Sequence, residues 1–423
     1  MIKVLWLSGT QLNTNSSFFF ETWLSSMAKL LVDSGKVELY NMVQGKVKHT
    51  VKVDDTEIKE WILPMKSSKR TGLPPSSIMK EIEGIVNSIR PDIVHIWGME
   101  RNWGLLTPYG ILGENVLLEI QGVKYACGKV YYGGLTAGEL LSTMRIQEII
   151  FPNRFLYFVK QQFMRWGTHE EAMLKTHSHI GTLTEWVRNH VKYHNRNAVM
   201  HRSMIALREE FVNSASWQKE RSETDIVLMA SSSFAIPYKG MHVLLDVVRL
   251  LKGKYPNIKL KIAGDWRIDK PFYRKSGYLK WFVSKAKRLG VFDSLEFLGP
   301  LNASELISHF YTSDVYVVPT FVENYCTSLA EAMAVGIPCV ASYVGGMVEL
   351  ADDNESVLFF QAGEYFSCAG KIERILSDRA LAMKMSESSR GKAHGRNDPI
   401  NVLKRQLEIY EEMMAHEVHS SEA

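Results

Sequence analysis

Between Asp314 and Ala341 the chain reads strand, loop, helix, strand. DVYVVP is a short continuous apolar run of the kind that fills a buried strand. Ser328 to Val335 is rich in Ala, Leu, Glu and Met, which lose little freedom in a helix. Ser328 followed by Glu331 has capping-box spacing, so the helix is predicted to begin there. Gly336 and Pro338 end it, Gly by taking the left-handed conformation and Pro because it cannot continue a helix. CVAS is the next strand. Glu323 then lies on a loop at the carboxyl end of a strand, and Glu331 in the first helical turn after it. In open α/β sheets ligands bind along that edge.

The same alternation runs through the whole chain. Strands are predicted at Ile2–Leu7, Val37–Met42, Asp92–Trp97, Val116–Ile120 and Ile180–Leu183. A second series follows near Ile226–Ala230, Ile258–Ala263, Leu295–Leu298, Val315–Val318, Pro338–Ala341 and Val357–Phe360. Helices are predicted between them, at about Ser17–Val32, at Ser76–Arg90 and from near Glu185. Such alternation implies parallel, doubly wound sheets. At 423 residues the chain has room for two domains. The polar stretch Glu209–Thr224 is read as the linker. The expected organisation is α/β: residues 1–212 and 222–396 as two Rossmann-like domains, then a helix over 400–416. The tail HEVHSSEA is expected to fray. Asp54, Asp55 and Glu57 have the chemistry of metal ligands, but are read instead as a helix start before IKEW.

Bulk properties exclude several classes. Hydrophobic content of 46% and charged content of 23% suit a soluble globular protein. A net charge of +4 is too small and too diffuse to argue for nucleic acid. Cys127, Cys326, Cys339 and Cys368 show no C-x-x-C spacing, so reduced thiols and a cytoplasmic setting are expected. MIKVLWLSG is too short an apolar run for a signal peptide and reads as a first strand. No run of about 18 apolar residues is present to span a bilayer.

Glu323 and Glu331 form an E-x7-E pair, followed by EAMAVGIP and VGG-x-x-E. This combination resembles the nucleotide-sugar site of retaining glycosyltransferases of the GT-B fold, most like family 4 (glycosyl transferases group 1). The resemblance is strong from Lys239 to Glu349; in the first half it rests on topology and short patterns. It implies two Rossmann-like domains facing a cleft, with the last helix crossing back to the first domain. It also implies a donor that is a nucleotide-diphosphate sugar, with no metal and no other cofactor.

A departing sugar diphosphate gathers negative charge, which fixed cations and helix N-terminal N–H groups stabilise. Lys239 of the K-G pair matches the family's phosphate-contacting lysine; otherwise Lys-Gly is only a turn. Glu323 matches the carboxylate near the transferred sugar, and Glu331 the one on the ribose. Thr327, Ser328 and Leu329 match the backbone N–H donors to the diphosphate. Gly264, with Asp265, resembles the strand-end glycine that admits the nucleotide. Ser233 stands where the family usually has Arg, and a hydroxyl does not replace a bidentate guanidinium. Arg202 and Arg267 are candidates to compensate. On the acceptor side, His95 ends a strand and is read as structural or catalytic alike. Gln121 stands where relatives often have His; an amide hydrogen-bonds but takes no proton.

Two basic-aromatic stretches complete the reading. Arg145–Trp166 is open between membrane-surface contact and an ordinary amphipathic helix with snorkelling cations. Lys270–Arg288 is read as an ordinary helix. The expected activity is sugar transfer to a polysaccharide or lipid-linked oligosaccharide, in the cytoplasm or at the inner face of the membrane. The alternatives are a non-catalytic GT-B binding subunit and a nicotinamide-dependent oxidoreductase. The latter lacks a strand-associated G-x-G-x-x-G.

Overall fold

The computed structural model describes residues 1–12, 22–54, 57–68, 70–144, 155–220, 222 and 224–420. The chain divides into two units. One comprises Met1–Lys124, Arg165–Arg208 and Asn397–Ala423, the other Tyr125–Met164 and Glu209–Arg396. Tyr125–Met164, placed by the sequence in the first domain, therefore groups with the second unit. The boundary between Arg208 and Glu209 falls at the start of the stretch read as the linker; beyond it Phe211 and Trp217 are buried, and the Trp217 indole N–H donates to the Ser313 carbonyl at 2.9 Å.

The first unit is built on eight strands: β1 (Ile2–Ser8), β2 (Val37–Gly45), β3 (Val51–Val53), β4 (Lys59–Pro64), β5 (Ile93–Trp97), β6 (Val116–Ile120), β7 (His179–Thr182) and β8 (Val199–Arg202). Their order is β3-β4-β2-β1-β5-β6-β7-β8, and every pairing but β3 with β4 is parallel. β1 is central, and Val4 to Leu7 are wholly buried, as a strand covered on both faces requires. The helix Trp23–Asp33 is capped by the Thr22 hydroxyl, which accepts from the Ser25 N–H; the part expected from Ser17 lies outside the described residues.

The expected helix start before IKEW is corrected. Lys59–Pro64 is a strand, parallel to β2 and hairpinned against β3, with Glu60, Trp61 and Leu63 buried. Trp and Ile suit a half-buried pleated surface, and a carboxylate run ahead of them does not outweigh that packing. Asp55 lies outside the described residues. Among those described, no three His, Cys, Asp or Glu gather as a metal site, and no helix is long and apolar enough to cross a membrane.

The last helix, Pro399–Ser420, belongs to the first unit; of the tail expected to fray it includes residues 416–420, and the remainder lies outside the described residues. Val402, Ile409, Tyr410 and Met413 join the core with Trp6, Leu24 and Met27. The Trp6 indole N–H donates to the Tyr410 hydroxyl at 3.2 Å. Full burial of such side chains is worth about 1.5–3 kcal/mol each.

Glu119 of β6 is buried in this unit. One carboxyl oxygen accepts from the Ser203 hydroxyl at 2.6 Å, and the other has no hydrogen-bond partner. Burial pushes its pKa up to about 8, against the pull of Ser203. The folded pKa is above the unfolded one, so this contribution to stability is full below about 4.5 and is lost as pH rises toward 8. Glu119→Gln should remove that slope, which reaches about 1.4 kcal/mol per pH unit. Urea unfolding at pH 5 and pH 8 measures it; equal pH dependence in wild type and variant would refute the assignment.

The second unit carries β9 (Val227–Ser231), β10 (Lys259–Ala263), β11 (Leu295–Gly299), β12 (Val315–Val318), β13 (Cys339–Ser342) and β14 (Val357–Phe360). Their order is β11-β10-β9-β12-β13-β14, all parallel. The winding reverses between β9 and β12. Loops leaving neighbouring strands there run to opposite sides and open a crevice at the carboxyl edge. In the helix Gly277–Arg288, Tyr278, Trp281 and Phe282 are buried. Those three aromatics of Lys270–Arg288 are therefore core, whereas Tyr273, ahead of the helix, is 57% exposed.

Candidate functional site

The loops after β9 and β12 lie against one another by backbone contacts. The Phe321 N–H donates to the Tyr238 carbonyl at 2.8 Å, and the Thr320 hydroxyl donates to the same carbonyl at 3.3 Å. Gly240 makes this approach possible: its φ is +70°, and a Cβ there would lie 1.9 Å from the Pro319 carbonyl oxygen. The result brings Lys239 to Glu323, with the ammonium donating to the carboxylate at 2.6 Å. Both side chains are only partly buried, 30% and 21% exposed. Burial works against the Lys239 charge. Glu323, with Tyr238 and Cys326, outweighs it and holds the pKa above the ordinary lysine value. Lys239 is thus a fixed cation at the switch point.

Glu323 is seated by a feature whose mechanics the sequence motif did not reveal. The Gly346 N–H donates to the Glu323 carbonyl at 3.0 Å. Gly345, with φ +52°, leaves the room: a Cβ there would fall 2.0 Å from that oxygen. The paired glycines of VGG-x-x-E therefore hold the Glu323 backbone, and the pairing of two glycines after a strand was the available signal.

The helix after this loop is Thr327–Val335, ended as expected by Gly336 at φ +87°. Its start corrects the capping box. Cys326 is the N-cap, no side chain caps it, and Ser328 is the second helical residue. Glu331 is consequently the fifth residue, beyond capping reach, and is 5% exposed. Thr327, Ser328 and Leu329 are the first three helical residues, whose N–H groups have no intrahelical acceptor. The Leu329 N–H is directed at the Cys326 thiol. Burial and the nearby Glu323 charge push that thiol up to about 11, so it stays protonated at neutral pH.

Ser233 follows β9 and is exposed, with its carbonyl accepting the Asp265 N–H at 3.0 Å. Gly264 follows β10 with φ +123°, and a Cβ there would lie 1.9 Å from the Ser232 carbonyl oxygen. Its missing side chain serves this backbone approach. Of the two arginines that are candidates to compensate, Arg267 faces Asp265 at 3.4 Å, and Arg202, in the first unit, faces Glu185 at 3.7 Å.

In the first unit Gln121 follows β6 and is half-buried. His95 is fully buried, stacked on Trp97 at 3.9 Å and bonded through Nδ1 to the Tyr410 hydroxyl at 2.9 Å. Burial holds its pKa well below the usual histidine value, with His201 adding to the effect. Those contacts seal His95 beneath the last helix. Of the Arg145–Trp166 stretch, residues 145–154 lie outside the described residues; beyond them Tyr157 and Phe158 are 47% and 42% exposed.

Residues 213–392 match the family described as glycosyl transferases group 1. D-inositol 3-phosphate glycosyltransferase of Corynebacterium urealyticum is 27% identical over 177 residues, which is 41% of this chain and 40% of that protein. The chain thus matches about two fifths of that relative's length. Among solved structures, sucrose-phosphate synthase from Thermosynechococcus elongatus superposes with a TM-score of 0.72 at 13% identity, covering 98% of this chain and 100% of that one. Anabaena HepE in complex with UDP-glucose gives 0.63 at 12%, covering 99% and 100%. The fold is that of the GT-B glycosyltransferases, two Rossmann-like halves with parallel sheets.

Proposed function

We propose that this chain, which matches glycosyl transferases group 1 over residues 213–392, is a retaining GT-B glycosyltransferase of family 4. It takes a sugar from a nucleotide-diphosphate donor to a polysaccharide or lipid-linked oligosaccharide, in the cytoplasm or at the inner face of a membrane. The observation that carries the reading is the Lys239–Glu323 pair at the β9/β12 switch point, beside the N-terminus of the Thr327–Val335 helix. Solved relatives of this fold hold UDP and UDP-glucose.

Each group has a part in the transfer. As the sugar–phosphate bond breaks, charge grows on the diphosphate. Lys239 and the N–H groups of Thr327 and Ser328 receive it, assisted by the helix dipole. The reading needs no metal for this charge, and turnover is expected to survive a chelator. Glu323 holds Lys239 in place and lies where the transferred sugar would pass. Glu331, buried one helical turn on, accepts ribose hydroxyls. The exposed Ser233 leaves the phosphate clamp with one cation fewer than the family pattern. That same feature motivates a second reading, a non-catalytic binding subunit.

Titration with UDP, GDP and ADP sugars, followed by turnover assays, tests the proposal. Glu331→Gln should weaken nucleotide binding about tenfold, the loss of one charge-assisted hydrogen bond. Glu323→Gln should mainly lower turnover. Equal losses of both quantities in both variants would contradict the divided roles. Binding without turnover in the wild type would establish the binding subunit instead.

A further inference from the structure

The helix Arg379–Arg396 grips the Thr327–Val335 helix at both ends. At the far end the Ala334 carbonyl lies in the last turn, where helix carbonyls lack an intrahelical donor. It accepts from the Arg390 guanidinium at 2.6 Å and from His394 Nε2 at 3.1 Å. At the near end stands Arg396. Its Nε donates to the Tyr325 hydroxyl at 3.2 Å, and its Nη1 donates to the Leu350 carbonyl. The guanidinium carbon lies 5.7 Å from the Tyr325 ring centroid. Both side chains are half-buried. Arg396 lies beyond residues 213–392, the stretch that matches the family.

These contacts close around Glu323. Tyr325 is two residues after it and one before Cys326, the helix N-cap. No side-chain oxygen caps that helix, and Arg396 supplies an anchor from 71 residues away. Leu350 follows the short turn Met347–Glu349, which starts after Gly346. The Gly346 N–H is the donor that holds the Glu323 carbonyl. One guanidinium therefore spans the loops after β12 and β13, which together seat Glu323. A planar guanidinium keeps its donors in a fixed fork, whereas an ammonium is a point charge on a flexible stem.

We propose that Arg396, acting through the Tyr325 hydroxyl, is a positioning residue for transfer: it fixes Glu323 relative to the N–H groups of Thr327 and Ser328. Its part in transfer rests on the glycosyltransferase reading; the strap itself does not. Glu331 belongs to the helix body, which Arg390 and His394 still hold when the strap is cut. Cutting it should spare nucleotide binding and lower turnover, because a misplacement of about 1 Å can cost a reaction about a hundredfold.

Tyr325→Phe deletes one oxygen and keeps the ring; Arg396→Lys keeps the charge and loses the fork. With the nucleotide sugar that the wild type turns over, each should lower kcat about tenfold and change KM by about threefold or less. The double variant should be no slower than Arg396→Lys, because both changes cut the same strap. The thermal midpoint of Tyr325→Phe should match that of the wild type. Amide hydrogen exchange over residues 321–330 of the nucleotide-free full chain should speed up about tenfold in both variants, as local opening does, with residues 259–263 unchanged. Unchanged kcat or unchanged exchange in Tyr325→Phe, or additive losses in the double variant, would overturn the proposal. If the wild type turns over no nucleotide sugar, the transferase reading fails and exchange alone judges the strap: faster exchange retains it, and unchanged exchange removes it.

Discussion

On the transferase reading proposed above, Lys239→Ala is expected to lower sugar transfer at least a hundredfold and affinity for the donor nucleoside diphosphate about tenfold to a hundredfold, while the protein stays folded. A charge-assisted hydrogen bond to phosphate is worth about 1.5–3 kcal/mol. The larger loss in transfer follows because charge grows on the diphosphate as the bond breaks, so the contact strengthens in the transition state. The pairing with Glu323 at 2.6 Å means that Lys239 does not have to be ordered when the donor arrives. Stability should change little. The Glu323 side chain keeps 21% of its surface exposed, so water can solvate the carboxylate left behind. Calorimetric titration with whichever of UDP, GDP and ADP the wild type binds, turnover with the matching nucleotide sugar and a thermal scan read the three quantities. Wild-type affinity and turnover in the variant would remove Lys239 from the site.

Gly240→Ala should be the most damaging single-atom change near the site. A methyl group would lie 1.9 Å from the Pro319 carbonyl, and at φ +70° it would strain its own backbone. Left-handed conformation alone costs a non-glycine residue about 1–2 kcal/mol. The clash adds to this because the neighbour is backbone and cannot rotate away. We expect about 2–4 kcal/mol of destabilisation, with transfer lost because the loop carrying Lys239 must lift from the loop carrying Glu323. Gly253→Ala is the control. Gly253 has helical φ, and its nearest neighbour would be 3.6 Å from the new Cβ. There the substitution should be neutral or mildly stabilising. Urea unfolding separates the two, and equal midpoints would sink the argument.

Much of the fold was legible because strands buried on both faces write themselves as continuous apolar runs. Ile93–Trp97, Val116–Ile120, Val315–Val318 and Val357–Phe360 lie within a residue of where their composition put them. The Thr327–Val335 helix was legible from its Ala-rich run and Gly336, but its first turn was not. A serine three residues ahead of a glutamate has capping-box spacing wherever it occurs, and only the backbone at Cys326 decides whether the box forms. Lys59–Pro64 was misread for a related reason. Its carboxylate-rich approach suits a helix start locally, whereas β2 and β3 supply the hydrogen bonds that make it a strand.

By itself, then, the sequence determined period, punctuation and the residue types along one sheet edge. Those depend on neighbours a few positions away. Tertiary structure alone decided that Tyr125–Met164 groups with the second unit and the last helix with the first. It alone decided that His95 is sealed under Tyr410. Lys239 and Glu323 are 84 residues apart. Nothing local in either stretch encodes their contact. It follows from the reversal of strand order at β9 and β12, where parallel pairing brings two distant loops to one edge of the sheet.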